Sequence, residues 1–211
     1  MRVFSKNLLS ASGGNLNLVY DTPGTYTFFL PSSVYANIAI VGAGQPCERH
    51  KSTAAGTSPW CYTGNGGSAF VGKVILPKGY YTVVVGNAWN TGYQVETQSD
   101  WTTYADWAYA EDSILSNDSG VLINAGASKY ADLASLGMKI RSNPVLTISE
   151  NLRVSSTIIA SNGNMGATSS DIYNPIRTTG YAGGASLYKG YGKGSDSMAY
   201  NYTKGYFSIQ C

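Results

Sequence analysis

Hydrophobic residues occur along this chain in short runs, each ended by glycine or proline. The runs at residues 37–41, 69–76 and 80–85 are rich in β-branched and aromatic side chains. This combination is typical of antiparallel β-strands rather than helices. Residues 18–20 and 25–30, joined by the turn sequence Asp-Thr-Pro-Gly, are predicted to form a β-hairpin.

The second half of the chain repeats this pattern. Residues 113–115 and 120–124, separated by Asn-Asp-Ser-Gly, predict another hairpin. Further apolar or alternating runs predict strands at residues 144–148, 152–160 and 205–210.

One segment has a helical pattern. Within residues 129–136, Leu133 and Leu136 lie three positions apart, and Gly137 follows as a stop signal. The sequence therefore predicts one or two helical turns there.

No composition change, proline-rich linker or strict repeat divides the chain. Residues 1–19, polar and rich in Ser and Asn, predict an N-terminal arm or edge strand, and residues 20–211 predict one domain. The expected fold is all-β, a single antiparallel β-sandwich of jelly-roll-like form with long loops rich in Gly, Tyr and Trp.

Composition and charge narrow the class of function. Charged residues make up only 12% of the chain, whereas it contains 25 Gly and 17 Tyr. Tyrosine offers a flat face and a hydroxyl at small entropic cost, which favours binding surfaces of amphipathic character. The 14 basic residues are scattered and the net charge is +2, so no nucleic-acid partner is expected. Neither an apolar run of about 18 residues nor a signal peptide is present, so membrane insertion and ordinary secretion are not expected.

Aromatic residues of the middle segment form the candidate binding site. All four tryptophans fall between residues 60 and 107, among Asn, Thr, Gln, Ser and Asp. They follow neither a period of 2 nor one of 3.6, which is typical of loops, although packing in the core is the alternative. The candidate loop aromatics for a glycan or receptor are Trp60, Tyr62, Trp89, Tyr93, Trp101, Tyr104, Trp107 and Tyr109.

The three cysteines cannot all pair within one chain. A Cys47–Cys61 disulfide would close a loop of about 15 residues and contribute about 3 kcal/mol in an oxidising compartment, whereas a reducing cell would leave free thiols. Cys47, His50 and Cys61, with Glu48 nearby, are possible zinc ligands, but a fourth ligand at the usual spacing is missing. No metal and no cofactor are expected.

Enzymatic interpretations find little support in the motifs. Residues 42–44 (Gly-Ala-Gly) lack the third glycine and the helix of a dinucleotide site. His50 is the only histidine, and no Gly-x-Ser-x-Gly motif accompanies it. Glycan cleavage by paired carboxylates is harder to exclude, because four acids lie near the tryptophans: Asp100, Asp106, Glu111 and Asp112. The expectation is that the chain is not an enzyme.

Five segments share a distinctive order along the chain. They are Thr25-Tyr-Thr-Phe-Phe-Leu-Pro31, Ile38-Ala-Ile-Val-Gly-Ala-Gly44, Gly64-Asn-Gly-Gly-Ser-Ala-Phe70, Gly79-Tyr-Tyr-Thr-Val-Val-Val-Gly86 and Gly205-Tyr-Phe-Ser-Ile209. In this order they resemble the glycine-rich domain family of bacteriophage tail proteins, which includes tail-fibre adhesins. The resemblance is close over residues 25–86 and looser over 180–210. Unlike the adhesins with long polyglycine stretches, this chain has no glycine run longer than two.

The resemblance implies a structural protein of the phage virion, assembled in the host cytoplasm and bound to other virion proteins. It also implies a homo-oligomer, with a trimer favoured, whose loops contact a glycan or protein of the host surface. Two alternatives stay open: a non-binding virion component, such as a head or tail decoration or a fibre connector, and a glycan-degrading enzyme.

Overall fold

A computed structural model describes residues 16–46, 48–52, 60–62, 64–98, 101–133, 138–163, 186–194 and 203–211. Every regular element in these ranges is a β-strand, and every strand pairing is antiparallel. The all-β antiparallel fold predicted from the sequence is therefore confirmed. In chain order the strands are β1 (Asn17–Tyr20), β2 (Gly24–Leu30), β3 (Val34–Val41), β4 (Glu48–Ser52), β5 (Trp60–Tyr62), β6 (Ala69–Leu76), β7 (Gly79–Val85), β8 (Ala88–Gln98), β9 (Trp101–Ala110), β10 (Ser113–Asn117), β11 (Gly120–Ala125), β12 (Tyr130–Leu133), β13 (Met138–Arg141), β14 (Leu146–Ile148), β15 (Arg153–Ser161) and β16 (Tyr206–Gln210).

Two five-stranded sheets make up most of the fold. The first sheet has the order β1-β16-β3-β6-β15, and the second has the order β14-β11-β10-β7-β2. In the first sheet the N-terminal strand β1 pairs with the C-terminal strand β16, with Asn17 opposite Gln210. Strands from the two ends of the chain thus pair with each other.

A single hydrophobic cluster draws residues from both sheets. Its largest fully buried side chains include Phe28 and Tyr81 from the second sheet and Phe70 and Phe207 from the first. The ring centroid of Phe28 lies 5.1 Å from that of Tyr81 and 6.3 Å from that of Phe207. The two sheets therefore share one core. The finer prediction of a single jelly-roll-like sandwich stays a prediction.

The hairpin predicted for residues 18–20 and 25–30 is wrong. β1 pairs with β16 in the first sheet, while β2 pairs with β7 along its full length in the second. The connecting turn therefore crosses from one sheet to the other, and the rings of Tyr20 and Tyr26 stack beside it with centroids 4.2 Å apart. This crossing lets Leu18 and Phe28 enter the shared core from opposite sheets. The second predicted hairpin, β10 with β11, is confirmed.

The helical prediction for residues 129–136 is also wrong where the structure describes that segment. Tyr130–Leu133 is strand β12, which pairs with β13 so that Asp132 lies opposite Lys139. Residues 134–137 lie outside the described ranges. An eight-residue helix is too short to be stable by itself, whereas a partner strand satisfies backbone hydrogen bonds directly.

Loops at one end of the two sheets pack backbone against backbone. This glycine seam consists of residues 42–45, 64–68, 126–128, 192–194 and 203–205. The amide of Gly42 donates to the Ser68 carbonyl at 2.9 Å, and the amide of Gly67 donates to the Gly192 carbonyl at 2.8 Å. A methyl group on Gly42 would lie 2.5 Å from the Gly126 carbonyl oxygen, so glycine is required there by the close approach of two backbones.

Candidate functional site

A separate four-stranded sheet, with the order β5-β4-β9-β8, carries the candidate aromatic residues. Its long hairpin β8–β9 is inserted between β7 and β10 of the second sheet. The Glu111 amide donates to the Asn87 carbonyl at 2.8 Å, and the Ala43 amide donates to the Glu111 carbonyl at 3.2 Å. Gly205 likewise donates to the Gly86 carbonyl at 2.9 Å. The hairpin is therefore fixed at its root to the glycine seam.

All eight candidate aromatics lie on strands of this sheet, so the prediction that they lie in loops is wrong. Trp60 and Tyr62 belong to β5, and the remaining residues belong to β8 and β9. Two features conceal the strand pattern in the sequence. The register of β8 against β9 shifts between Asn90 and Tyr93, and polar residues occupy both faces of the hairpin, so no apolar alternation marks it.

Strand geometry places the aromatic positions of β9 on defined faces. Alternate residues of a strand belong to the same face of a sheet, so Trp101, Trp107 and Tyr109 occupy one face of β9. Trp89 lies directly opposite Tyr109 on β8 and therefore belongs to that face as well.

The same face continues across β4 to β5. His50 of β4 lies opposite Ala105 of β9, and Trp60 of β5 lies opposite His50. Tyr62 lies opposite Glu48, which is two residues from His50 and so on the same face. This tryptophan face thus contains all four tryptophans and two tyrosines: Trp60, Tyr62, Trp89, Trp101, Trp107 and Tyr109.

The two other candidate tyrosines occupy the opposite face. Tyr93 lies opposite Asp106, and Tyr104 is two residues from Asp106 on β9. Arg49 pairs with Asp106, and Lys51 pairs with Tyr104. All four tryptophan positions therefore belong to one face of the sheet, whereas Tyr93 and Tyr104 belong to the other, so only six of the eight predicted residues share a surface.

The root of the hairpin shows how an aromatic pair is presented. The rings of Trp89 and Tyr109 stack with centroids 5.6 Å apart and planes 16° from parallel. Trp89 is 38% exposed, whereas the neighbouring Ala88 and Ala110 are buried against Ala43 and Ala127. The face that carries Ala88 and Ala110 thus packs against the glycine seam, while the indole of Trp89 remains accessible to solvent.

Polar positions also belong to the tryptophan face, and sequence reasoning missed their connection to it. Gln94 lies opposite Ala105, Glu96 opposite Thr103 and Gln98 opposite Trp101. Amide and carboxylate groups at such positions are hydrogen-bonding partners for hydroxyl groups. Only the strand pairing reveals this grouping, because residues 94–98 have no local feature that separates them from other polar stretches.

The acids considered for glycan cleavage have other places in the structure. Asp106 is on the face opposite the tryptophans, and Asp100 lies outside the described residues. The Glu111 carboxylate accepts the Asn87 amide at 3.1 Å. The Asp112 carboxylate accepts the Ala127 amide at 2.8 Å and the Lys129 ammonium at 2.6 Å. Glu111 and Asp112 therefore stabilise the hairpin root and the adjacent loop.

The cysteine hypotheses concern a part of the chain that the structure only partly describes. The predicted Cys47–Cys61 bridge and the Cys47–His50–Cys61 ligand set lie outside the described residues, because Cys47 does. Cys211 is a free thiol, and burial raises its pKa above the ordinary value.

Among residues with described side chains, no group of three or more His, Cys, Asp or Glu could hold a metal ion. Within the same ranges, no helix is long and apolar enough to cross a membrane.

Comparison with known proteins identifies no relative. No family model, no curated protein and no solved structure matches this chain. The resemblance of residues 25–86 to the glycine-rich domains of phage tail proteins therefore stays a prediction.

Proposed function

We propose that this chain is a structural attachment protein of a bacteriophage tail that binds a host-surface glycan through the tryptophan face. The observation that carries the proposal is the strand register, which places all four tryptophans with Tyr62 and Tyr109 on one face of the four-stranded sheet. Among the described side chains, the strand residues of the main hydrophobic cluster come from the two five-stranded sheets.

The chemistry of the face suits a saccharide. Flat aromatic rings pack against the C–H faces of sugar rings, while amide and carboxylate groups bind the hydroxyls around their edges. Gln94, Glu96 and Gln98 occupy positions on the same face as the tryptophans. Trp89, which is 38% exposed and stacks on Tyr109, supports the proposal because it offers an accessible indole.

The virion context rests on the resemblance to glycine-rich tail domains over residues 25–86. In that context the chain is a homo-oligomer, a trimer, bound to other virion proteins and assembled in the host cytoplasm. Several copies on one particle would turn individually weak sugar contacts into firm attachment, because each further contact forms at high effective concentration.

The proposal is tested by titrating the full chain with soluble saccharides of bacterial surfaces: lipopolysaccharide core, capsular polysaccharide fragments and peptidoglycan fragments. Tryptophan fluorescence and NMR report binding, and the melting temperature is measured in parallel. The variant is Trp101→Ala with Trp107→Ala, and the control is Tyr35→Ala, which removes an aromatic side chain 63% exposed on the first sheet.

We expect at least one of these saccharides to bind the native chain and the control but not the double variant, with nearly equal melting temperatures. If the two tryptophans instead stabilise the fold, each substitution should lower the free energy of unfolding by about 3 to 5 kcal/mol. That result, or an absence of binding by the native chain, would favour a non-binding virion component.

A further inference from the structure

A shallow groove of about 240 Å³ lies on the outer face of the first sheet, on the side away from the core. Strand pairing builds its floor. Asn17 of β1 lies opposite Gln210 of β16, and Gln210 lies opposite Asn37 of β3. All three side chains are exposed. They form an amide row across three adjacent strands, spaced about 4.8 Å apart, the usual separation of strands in a sheet.

A tight turn forms one wall of the groove. Tyr188 and Tyr191 form an isolated bridge, and the Tyr191 amide donates to the Tyr188 carbonyl at 2.9 Å. The turn is fixed to the sheet because the Tyr191 ring stacks on the buried Tyr206 of β16, with centroids 4.3 Å apart. Tyr188 and, at the tip of the turn, Lys189 both line the groove.

The backbone at the tip of this turn is unusual. Lys189 has a φ of 48° and Gly190 a φ of 84°, the pattern of a two-residue turn that favours Asn or Gly at both positions. Within the described ranges, Lys189 is the only residue other than glycine with a positive φ. Its ammonium lies 5.1 Å from the Tyr188 ring centroid. Backbone strain thus occurs at Lys189, which supplies the one charged side chain among the described residues that line the groove.

We propose that this groove binds a saccharide that carries a carboxylate group, as a second site independent of the tryptophan face. The amide row offers both donors and acceptors to sugar hydroxyls. Tyr188 supplies an aromatic face, and Lys189 supplies the cation that pairs with the carboxylate. No Asp or Glu is among the described residues that line the groove.

The test uses the full ¹⁵N-labelled chain and two acidic probes, trigalacturonate and sialyllactose, each paired with a neutral counterpart, galactotriose and lactose. We expect the side-chain amide signals of Asn17, Asn37 and Gln210 to shift with at least one acidic probe and much less with its neutral counterpart. The affinity should fall as salt is added, because the charge pair is exposed to solvent.

Lys189→Gly is the informative variant, since glycine accepts the backbone conformation without strain. We expect it to keep or raise the melting temperature while weakening acidic-sugar binding about tenfold, the effect of losing one charge-assisted hydrogen bond. Lys78→Gln, which removes an exposed lysine in the turn between β6 and β7, should bind as the native chain does. The Trp101→Ala, Trp107→Ala double variant should also keep this binding, which separates this site from the tryptophan face.

The proposal would be overturned by no response to either acidic probe, by equal binding of acidic and neutral sugars, or by unchanged affinity in Lys189→Gly. Shifts of the amide row that follow protein concentration rather than sugar would also overturn it. They would identify this face as a contact between protein chains.

Discussion

The indole of Trp89 stacks on the phenol ring of Tyr109, with ring centroids 5.6 Å apart, at the second residue pair between β8 and β9. The neighbouring Ala88 and Ala110 are buried, so the two strands turn small residues toward the seam and aromatic residues away from it. The pair therefore sets the orientation of the tryptophan face at the point where the hairpin leaves the core.

This stack should be measurable as a coupling energy. In a double-mutant cycle with Trp89→Ala and Tyr109→Ala, we expect an interaction of about 1 kcal/mol in the free energy of unfolding, the usual value for a stacked aromatic pair. Chemical denaturation provides the measurement. Phe28→Ala serves as the core reference and should cost about 3 to 5 kcal/mol, because Phe28 is fully buried. Strictly additive losses at Trp89 and Tyr109 would contradict the stacked arrangement.

Backbone packing in the glycine seam predicts a severe effect of one added methyl group. A Cβ atom at Gly67 would collide with the backbone of Gly42. That backbone cannot move without breaking the hydrogen bond from the Gly42 amide to the Ser68 carbonyl. Gly67→Ala should therefore prevent folding or lower the unfolding midpoint sharply.

Gly120→Ala is the matched comparison. Gly120 has a φ of 116° but no atom within 4 Å of the added methyl, so its substitution brings torsional strain alone, a cost of about 1 to 2 kcal/mol. Denaturation midpoints of the two variants distinguish collision from strain. Equal losses of stability in the two variants would show that the backbones of the glycine seam can move apart to accept the added methyl group.

The positions of individual strands could be predicted because they depend on local pattern. Residues 37–41, 69–76 and 80–85 were predicted as strands, and the structure places β3, β6 and β7 there. The choice of partner could not be predicted in the same way. β1 pairs with a strand almost 190 residues away rather than with its neighbour β2, and nothing in the Asp-Thr-Pro-Gly turn distinguishes a hairpin from a crossing between sheets.

For the candidate site, too, the residues could be predicted from local pattern but their arrangement could not. The sequence identified its aromatic residues, but their common surface depends on register, which is a property of paired strands. Tyr104 interrupts the spacing of Trp101 and Trp107 because it belongs to the other face, and the shift between Asn90 and Tyr93 alters the spacing on β8. In a single sequence both features imitate an irregular loop.

Stability at high pH should depend on Tyr81. Its side chain is buried, and its hydroxyl donates to the Pro77 carbonyl at 2.7 Å. Burial raises the pKa of Tyr81 above the usual 10, partly opposed by a hydrogen bond with Asn117. Because the folded state holds the proton more tightly, this contribution is complete below about pH 10 and is lost as the pH rises through the folded-state pKa.

Unfolding midpoints of Tyr81→Phe between neutral and alkaline pH test this dependence. The variant should lose about 1 kcal/mol at neutral pH, from the missing hydrogen bond, and should decline less steeply than the native chain above pH 10. Tyr35→Phe, at an exposed position, should follow the native profile. Parallel decline of all three proteins would assign alkaline unfolding to other groups.

The two residues of the ion pair between Asp112 and Lys129 should contribute unequally to the stability of the fold. The Asp112 carboxylate is 9% exposed and also accepts hydrogen bonds from the Ala127 amide and the Asn124 side chain, whereas Lys129 is 59% exposed. Lys129→Met should cost no more than about 1 kcal/mol, as an exposed ion pair does. Asp112→Ala should cost about 1 to 3 kcal/mol, because buried donors lose their acceptor. Thermal denaturation compares the two variants, and a larger loss for Lys129→Met would reverse this assignment.

Two N-terminal truncations should separate assembly from stability. Leu16 and Leu18 are buried, and the Leu16 carbonyl accepts the Cys211 amide at 3.0 Å. Removing residues 1–19 deletes both leucines together with most of β1 and leaves β16 as an uncovered edge. We expect it to destabilise the fold by about 1.5 to 3 kcal/mol for each leucine. Removing residues 1–15 keeps β1 and should leave the unfolding midpoint nearly unchanged.

Assembly is measured on the same two truncations by light scattering during size-exclusion chromatography. Residues 1–19 are predicted to be an N-terminal arm or edge strand. If the part that precedes β1, residues 1–15, binds a neighbouring subunit, its removal should reduce the native oligomer to monomers while the fold persists, since terminal arms become ordered on a partner. An unchanged mass after that deletion would assign oligomer contacts to another surface. A native chain that is already monomeric would count against the arm and against the trimer together, while leaving the predicted loss of stability on removal of β1 intact.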